Sequence, residues 1–191
     1  MKKQHNTIVI VLILLTITVS SLLNLGNKFM ALKEDVKMQE SQISVTLQRR
    51  CDLIPNLVGV VDEYVKHEEK IFFEIAEARQ DLVRSLNTKD ISSIESASIA
   101  FDSALSKLIA ISENYPDLKS SEQFIALMDE LAGTENRIAI ARQSYNESVN
   151  KYNKAVLKFP TSVAAYLLGY HVLPYFQASV DINTSPILNF S

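Results

Sequence analysis

The sequence predicts an all-α protein, an N-terminal transmembrane helix followed by an antiparallel bundle of long helices. Three observations predict it. No charged side chain occurs from Asn6 to Asn27, and Ile8 to Leu25 is dominated by Ile, Leu, Val and Thr. Beyond that stretch, apolar residues recur at spacings of three and four over runs far longer than a strand. The 191 residues include only 4 Gly and 5 Pro, too little punctuation for many short strands, while 47% apolar residues can fill one sizeable core.

The first element is the anchor. Ile8 to Leu25 is long enough for a hydrocarbon core of about 30 Å at about 1.5 Å per residue. A cleaved signal peptide is the rival, with Lys2 and Lys3 as its basic region and Val19, Ser20 and Ser21 as cleavage residues. The apolar run exceeds what a signal needs and helical sequence resumes at once, which favours a retained anchor. Lys2 and Lys3 nearly balance Lys28, Lys33 and Lys37, so charge does not orient it. The expected organisation is an anchor over 1–27 (transmembrane at about 7–25), a bundle over 28–178 and a flexible tail over 179–191.

Within the bundle, Phe29, Leu32, Val36, Ile43 and Leu47 form a stripe that reaches Arg50. Pro55 disfavours a helical Ile54 and suits a first turn, so a corner is expected between residues 51 and 55. A second bundle helix follows from about Asn56 to Leu86, with Leu57, Val61, Tyr64, Glu68, Ile71, Ile75, Ala78 and Leu82 on its seam. Asn87, Thr88 and Asp90 offer caps for a third, to Ser112. Ser120 and Gln123 suggest a capping box for the fourth, which runs to Phe159 on a seam containing Leu131, Glu135, Ile138, Arg142, Tyr145 and Val149. Gly133 inside it points to a close neighbour or a kink. Ser162 to Leu168 reads as a short helix closed by Gly169, and Tyr170, Leu173, Tyr175 and Phe176 as an aromatic cluster folding back on the bundle or meeting the membrane interface.

Arg50, Glu68, Glu135 and Arg142 sit at core-facing places on three helices. Unpaired buried charges cost several kcal/mol, so they are expected to pair in one interior belt, extended by Asp52 and by Asn56, His67, Asn136 and Asn146. The belt reads first as a device that sets helix register, with a ligand or ion site as the alternative. From Lys28 to Ser191, 22 acids stand against 17 bases, which gives nothing for nucleic acid to bind. A lone Cys51 can form no internal disulfide, and no Cys/His spacing resembles a zinc site. Cys51 beside Arg49 and Arg50, with His67 and Glu68, is the nearest approach to a catalytic set, and His67 and Glu68 with Glu63 or Glu69 the nearest to a metal set. Neither has the arrangement such chemistry needs, so no catalytic, cofactor or metal residue is expected.

Leu47 to Lys70, LQRRCDLIPNLVGVVDEYVKHEEK, resembles the QRR-x-DLIPNLV...HE signature of the LemA family. Tyr115 to Asn153 is similar to that family's YP-x-L...EL-x-x-TEN-R-I-x-x-AR-x-x-YN segment, and Phe159-Pro160, Gly169-Tyr170 and Tyr175-Phe176 to its FP...GF...YF ending. Glu40, Cys51 and Tyr170 depart from the usual aromatic, Ala and Phe. The resemblance marks Arg49, Arg50, Asp52, Asn56, Glu68, Glu135, Asn136, Arg137, Arg142, Tyr145 and Asn146 as signature positions. It implies a single-pass protein of the bacterial cytoplasmic membrane with no established catalysis. By analogy with a family member involved in making membrane compartments, it also implies a role in membrane organisation. The expected function is a scaffold or adaptor, with a membrane-tethered sensor using the belt as the alternative. Its expected partners are the lipid bilayer and a membrane or membrane-proximal protein, copies of itself among the candidates.

Overall fold

The computed structural model describes residues 2–65 and 68–177, apart from the side chains of residues 2–4, 7 and 8. Its elements are α1 (Lys2–Tyr64), α2 (Glu69–Thr88), α3 (Ile91–Ser112), α4 (Pro116–Lys119), α5 (Glu122–Leu157) and α6 (Thr161–Leu167), with no strand among the described residues. The tail expected over 179–191 lies outside them, as does His67. The chain divides into two compact units. One combines α1 up to Thr46 with Asn136–Tyr175; the other runs from Leu47 to Glu135 and includes Phe176.

In the first unit the apolar stretch of α1 lies bare, from Val9 to Val19 and at Leu23, whereas Phe29, Val36 and Ile43 further along the same helix are buried. Facing them on α5 are Ile138, Ala141, Tyr145, Val149, Tyr152 and Val156. The α5 seam therefore passes through Ala141 where Arg142 was expected. A small apolar residue one position away keeps the three-four spacing and spares the core a charge. The helices run antiparallel: Lys28 and Phe29 share a hollow with Lys154 to Thr161, and Asp35 to Gln39 one with Ser148 and Lys151.

In the second unit, Pro55 lies inside α1 and the corner expected at 51–55 is absent. α1 ends at Tyr64 and α2 begins at Glu69, so the helix expected over 56–86 is split and Glu68 is the residue preceding α2 rather than a seam position. Lys89, at φ 55, ends α2 in the left-handed region. Asp90 opens α3, its carboxylate accepting the Ser93 backbone N–H at 3.0 Å. Hydrogen bonding from Ser93 keeps the Asp90 pKa below its usual value. The α2–α3 hairpin is joined from Lys107 Nζ to Glu74 at 2.9 Å. The Ser120 capping box does not form, because α5 starts at Glu122 and the Ser120 hydroxyl donates to the Asp117 carbonyl. Thr134 takes the buried α5 place predicted for Glu135. A side chain at Gly133 would meet nothing within 4 Å, so close approach of a neighbour does not explain that glycine.

Candidate functional site

Arg50 follows Leu47 and precedes Ile54 on the buried face of α1, so its guanidinium is carried into the second unit's core. Its side chain is 9% exposed and forms ion pairs with Asp102 on α3 at 2.6 Å and Glu135 on α5 at 2.9 Å. Phe101 lies across its face, ring centre 5.2 Å from Cζ. The acids are 34% and 49% exposed, so the cluster is a buried cation reached by two partly hydrated anions rather than a dry belt. That arrangement lowers the desolvation cost, since only one of the three charges is largely withdrawn from water. It ties α1, α3 and α5 together at one level.

One turn on, Pro55 has no N–H for the carbonyl four residues back, which is Cys51. Arg79 on α2 supplies the missing donor, its Nε reaching the Cys51 oxygen at 2.8 Å. This is why α1 continues where the sequence predicts a corner. The Cys51 thiol is buried, and desolvation pushes its pKa up to about 11, outweighing Arg79 and Arg50. A thiol so shifted is a poor nucleophile at neutral pH.

The other predicted positions scatter. Arg49 forms an exposed ion pair with Glu130 at 3.0 Å, and Asp52 faces solvent and accepts from Gln48. Asn56, Asn136 and Arg137 are exposed, and Glu68 is half-buried without a side-chain capping bond. Arg142 is half-buried and belongs to the other unit. Among the described residues, no group of His, Cys, Asp and Glu has metal-site geometry.

In the first unit, residues 168–175 form a strap laid along α5 and α1. Gly169, at φ 74, turns the chain after α6, and the Tyr170 N–H reaches the Ala165 carbonyl at 2.9 Å. Asn153 brackets Leu173, its amide donating to the Leu173 carbonyl and accepting the Leu173 N–H, both at 2.8 Å. Tyr145 donates to the Pro174 carbonyl at 3.1 Å. Burial pushes the Tyr145 pKa up to about 12, with the Glu40 carboxylate adding to it. Tyr170 packs on Phe29 with ring centres 5.1 Å apart. Asn146 shares a hollow with Gln143, Glu147, Asn150 and Tyr175 at the strap's end.

Sequence reasoning missed Asp102, Arg79 and Asn153. Asp102 and Asn153 each follow an aromatic seam residue, and a polar residue at that edge is the signal that could have found them. Arg79 has no such signal.

The fold and these contacts define a class: an all-helical protein whose first helix carries a bare, membrane-length apolar segment and continues into a bundle pinned by one buried arginine. The LemA family profile matches residues 39–190, and the chain belongs to that family. It is 27% identical to magnetosome protein MamQ 2 of Paramagnetospirillum magneticum, over 91% of this chain and 72% of that one. Identity is 29% to magnetosome protein MamQ of Magnetospirillum gryphiswaldense, over 83% and 67%. To protein LemA of Metamycoplasma hominis it is 26%, over 85% and 75%.

Proposed function

We propose that the protein is a single-pass, non-catalytic scaffold of the bacterial cytoplasmic membrane, anchored by the first part of α1. One observation carries this reading: α1 changes from bare apolar surface before Leu23 to buried contacts at Phe29 without a break in the helix. Such a helix passes from lipid into a folded body with no linker, which suits a protein that holds others at a bilayer. The likeness to magnetosome proteins supports a role in organising membranes. The inert Cys51 thiol supports a non-catalytic reading. The sensor alternative is weakened because Arg50, a buried charge, is already held by two carboxylates and an aromatic face.

The test is affinity isolation of the full-length protein from crosslinked membranes, with an alkaline wash and protease protection on the same preparation. A scaffold stays in the washed membrane and crosslinks to a defined protein, which includes a second copy. Release of the intact chain by the wash would refute the anchor. Retention with no crosslinked species would refute the scaffold.

A further inference from the structure

One end of the first unit is basic and apolar at once. No Asp or Glu occurs between Ser148 and Gln177, where Lys151, Lys154 and Lys158 fall, and Lys28 and Lys33 are the first charges after the apolar stretch of α1. In a chain of net charge −3 this is a local excess of positive charge. Lys28, Lys151, Lys154 and Lys158 line a hollow of about 810 Å³ together with Phe29, Leu32 and Phe159. Leu168 and Tyr170 share a second hollow, about 380 Å³, with Val19, Leu22 and Leu23. A Cβ on Gly26 would stand 3.5 Å from Leu168 Cδ1. The segment from Leu157 to Tyr170 therefore lies beside the last turns of the apolar stretch and the first turns after it.

That level is where a spanning α1 leaves the hydrocarbon. The surface there is unusual for water: Phe159 is 77% and Tyr166 81% exposed, and Leu157, Val163 and Leu167 are exposed as well. Aromatic and aliphatic side chains flanked by lysines are the composition of a membrane interface, where rings sit among headgroups and ammonium groups meet phosphate.

We propose that α6 and the lysines around it form a second membrane contact. In it Phe159, Tyr166 and Leu167 enter the headgroup boundary, while Lys28, Lys151, Lys154 and Lys158 hold the headgroup of an anionic phospholipid. This rests on α1 spanning the bilayer. Anionic lipid is favoured over a protein partner because no acid lines the hollow that holds the four lysines, Asp35 lying in the adjoining hollow that Lys151 shares, and because the patch continues the apolar surface of α1.

The chain has no Trp, so single reporters can be placed in the full-length protein. Tyr166→Trp, reconstituted in phosphatidylcholine vesicles with phosphatidylglycerol and brominated lipid, should be quenched strongly, and Ile140→Trp on α5 should not. Omitting phosphatidylglycerol, adding salt, or combining Lys151→Gln, Lys154→Gln and Lys158→Gln should remove much of the quenching, each lysine weakening docking about five-fold. Quenching at 166 no greater than at 140 would overturn the proposal. So would quenching indifferent to anionic lipid and to the three substitutions, or a concentration-dependent blue shift of the 166 reporter in detergent, which would assign the patch to a second copy. Leu15→Trp separates the premise: if it too escapes quenching, the anchor has failed and not the contact at α6 alone.

Discussion

Around Arg50 the interior is organised by full charges, whereas around Tyr145 and Asn153 it is organised by neutral hydrogen bonds to a strap of irregular backbone. Arg50 and Arg79 lie on helices and reach acids or a carbonyl on other helices. Tyr145 and Asn153 also lie on a helix, but serve peptide groups of residues 173–174 that have no ladder of their own. The difference follows from what each place must satisfy. Joining three helices needs a long side chain with several donors, which arginine provides. An extended strap presents one N–H and one C=O per residue, which an asparagine amide matches in both senses.

The comparison can be broken most sharply at Arg50. Replacing both Asp102 with Asn and Glu135 with Gln strands a buried cation and should cost about 3–5 kcal/mol in urea unfolding. Arg50→Met should cost distinctly less, because both acids can hydrate where they stand. Equal losses would mean that the acids, not the arginine, are the buried members. Next in size is Asn153→Ala, which leaves the Leu173 N–H and C=O without partners. A loss of about 2–3 kcal/mol and new protease cleavage between Leu168 and Phe176 are expected. Unchanged proteolysis would show that ring packing alone holds the strap.

Arg79→Ala should cost about 1–2 kcal/mol, and far less when combined with Pro55→Ala, which restores the Cys51 carbonyl's own donor. Additive losses in the double mutant would refute that role. The smallest effect is alkaline. Cys51 rises from 9.0 to about 11 on folding and Tyr145 from 10.0 to about 12, so in each the folded state favours the neutral form. Their contribution is fully present below pH 9 and is lost as pH climbs through 9 to 12. A thermal midpoint that falls over that window, and falls less in Cys51→Ala, is the expected result.

Much of the fold was legible because it is periodic. The stripe from Phe29 to Leu47 led to Arg50 as a buried charge, and apolar content alone marked the first helix. The α5 seam went astray by one position because Thr134 and Ala141 are small and were passed over for charges one place along. Pro55 misled because local sequence fixes the missing donor, while its replacement comes from Arg79, 28 residues after the carbonyl it serves. Residues 168–175 were legible only as an aromatic cluster, since a strap held by peptide contacts leaves no period. Family signatures pointed to Tyr145 and Asn146 but not to Asn153, which makes two of the strap's hydrogen bonds.

The Arg79 contact also has a mechanical side. A proline within a helix is a ready-made joint, and here the bolt that stiffens it comes from a different rod. Losing the Arg79 contact would therefore leave Pro55 as the place where the first helix bends most easily.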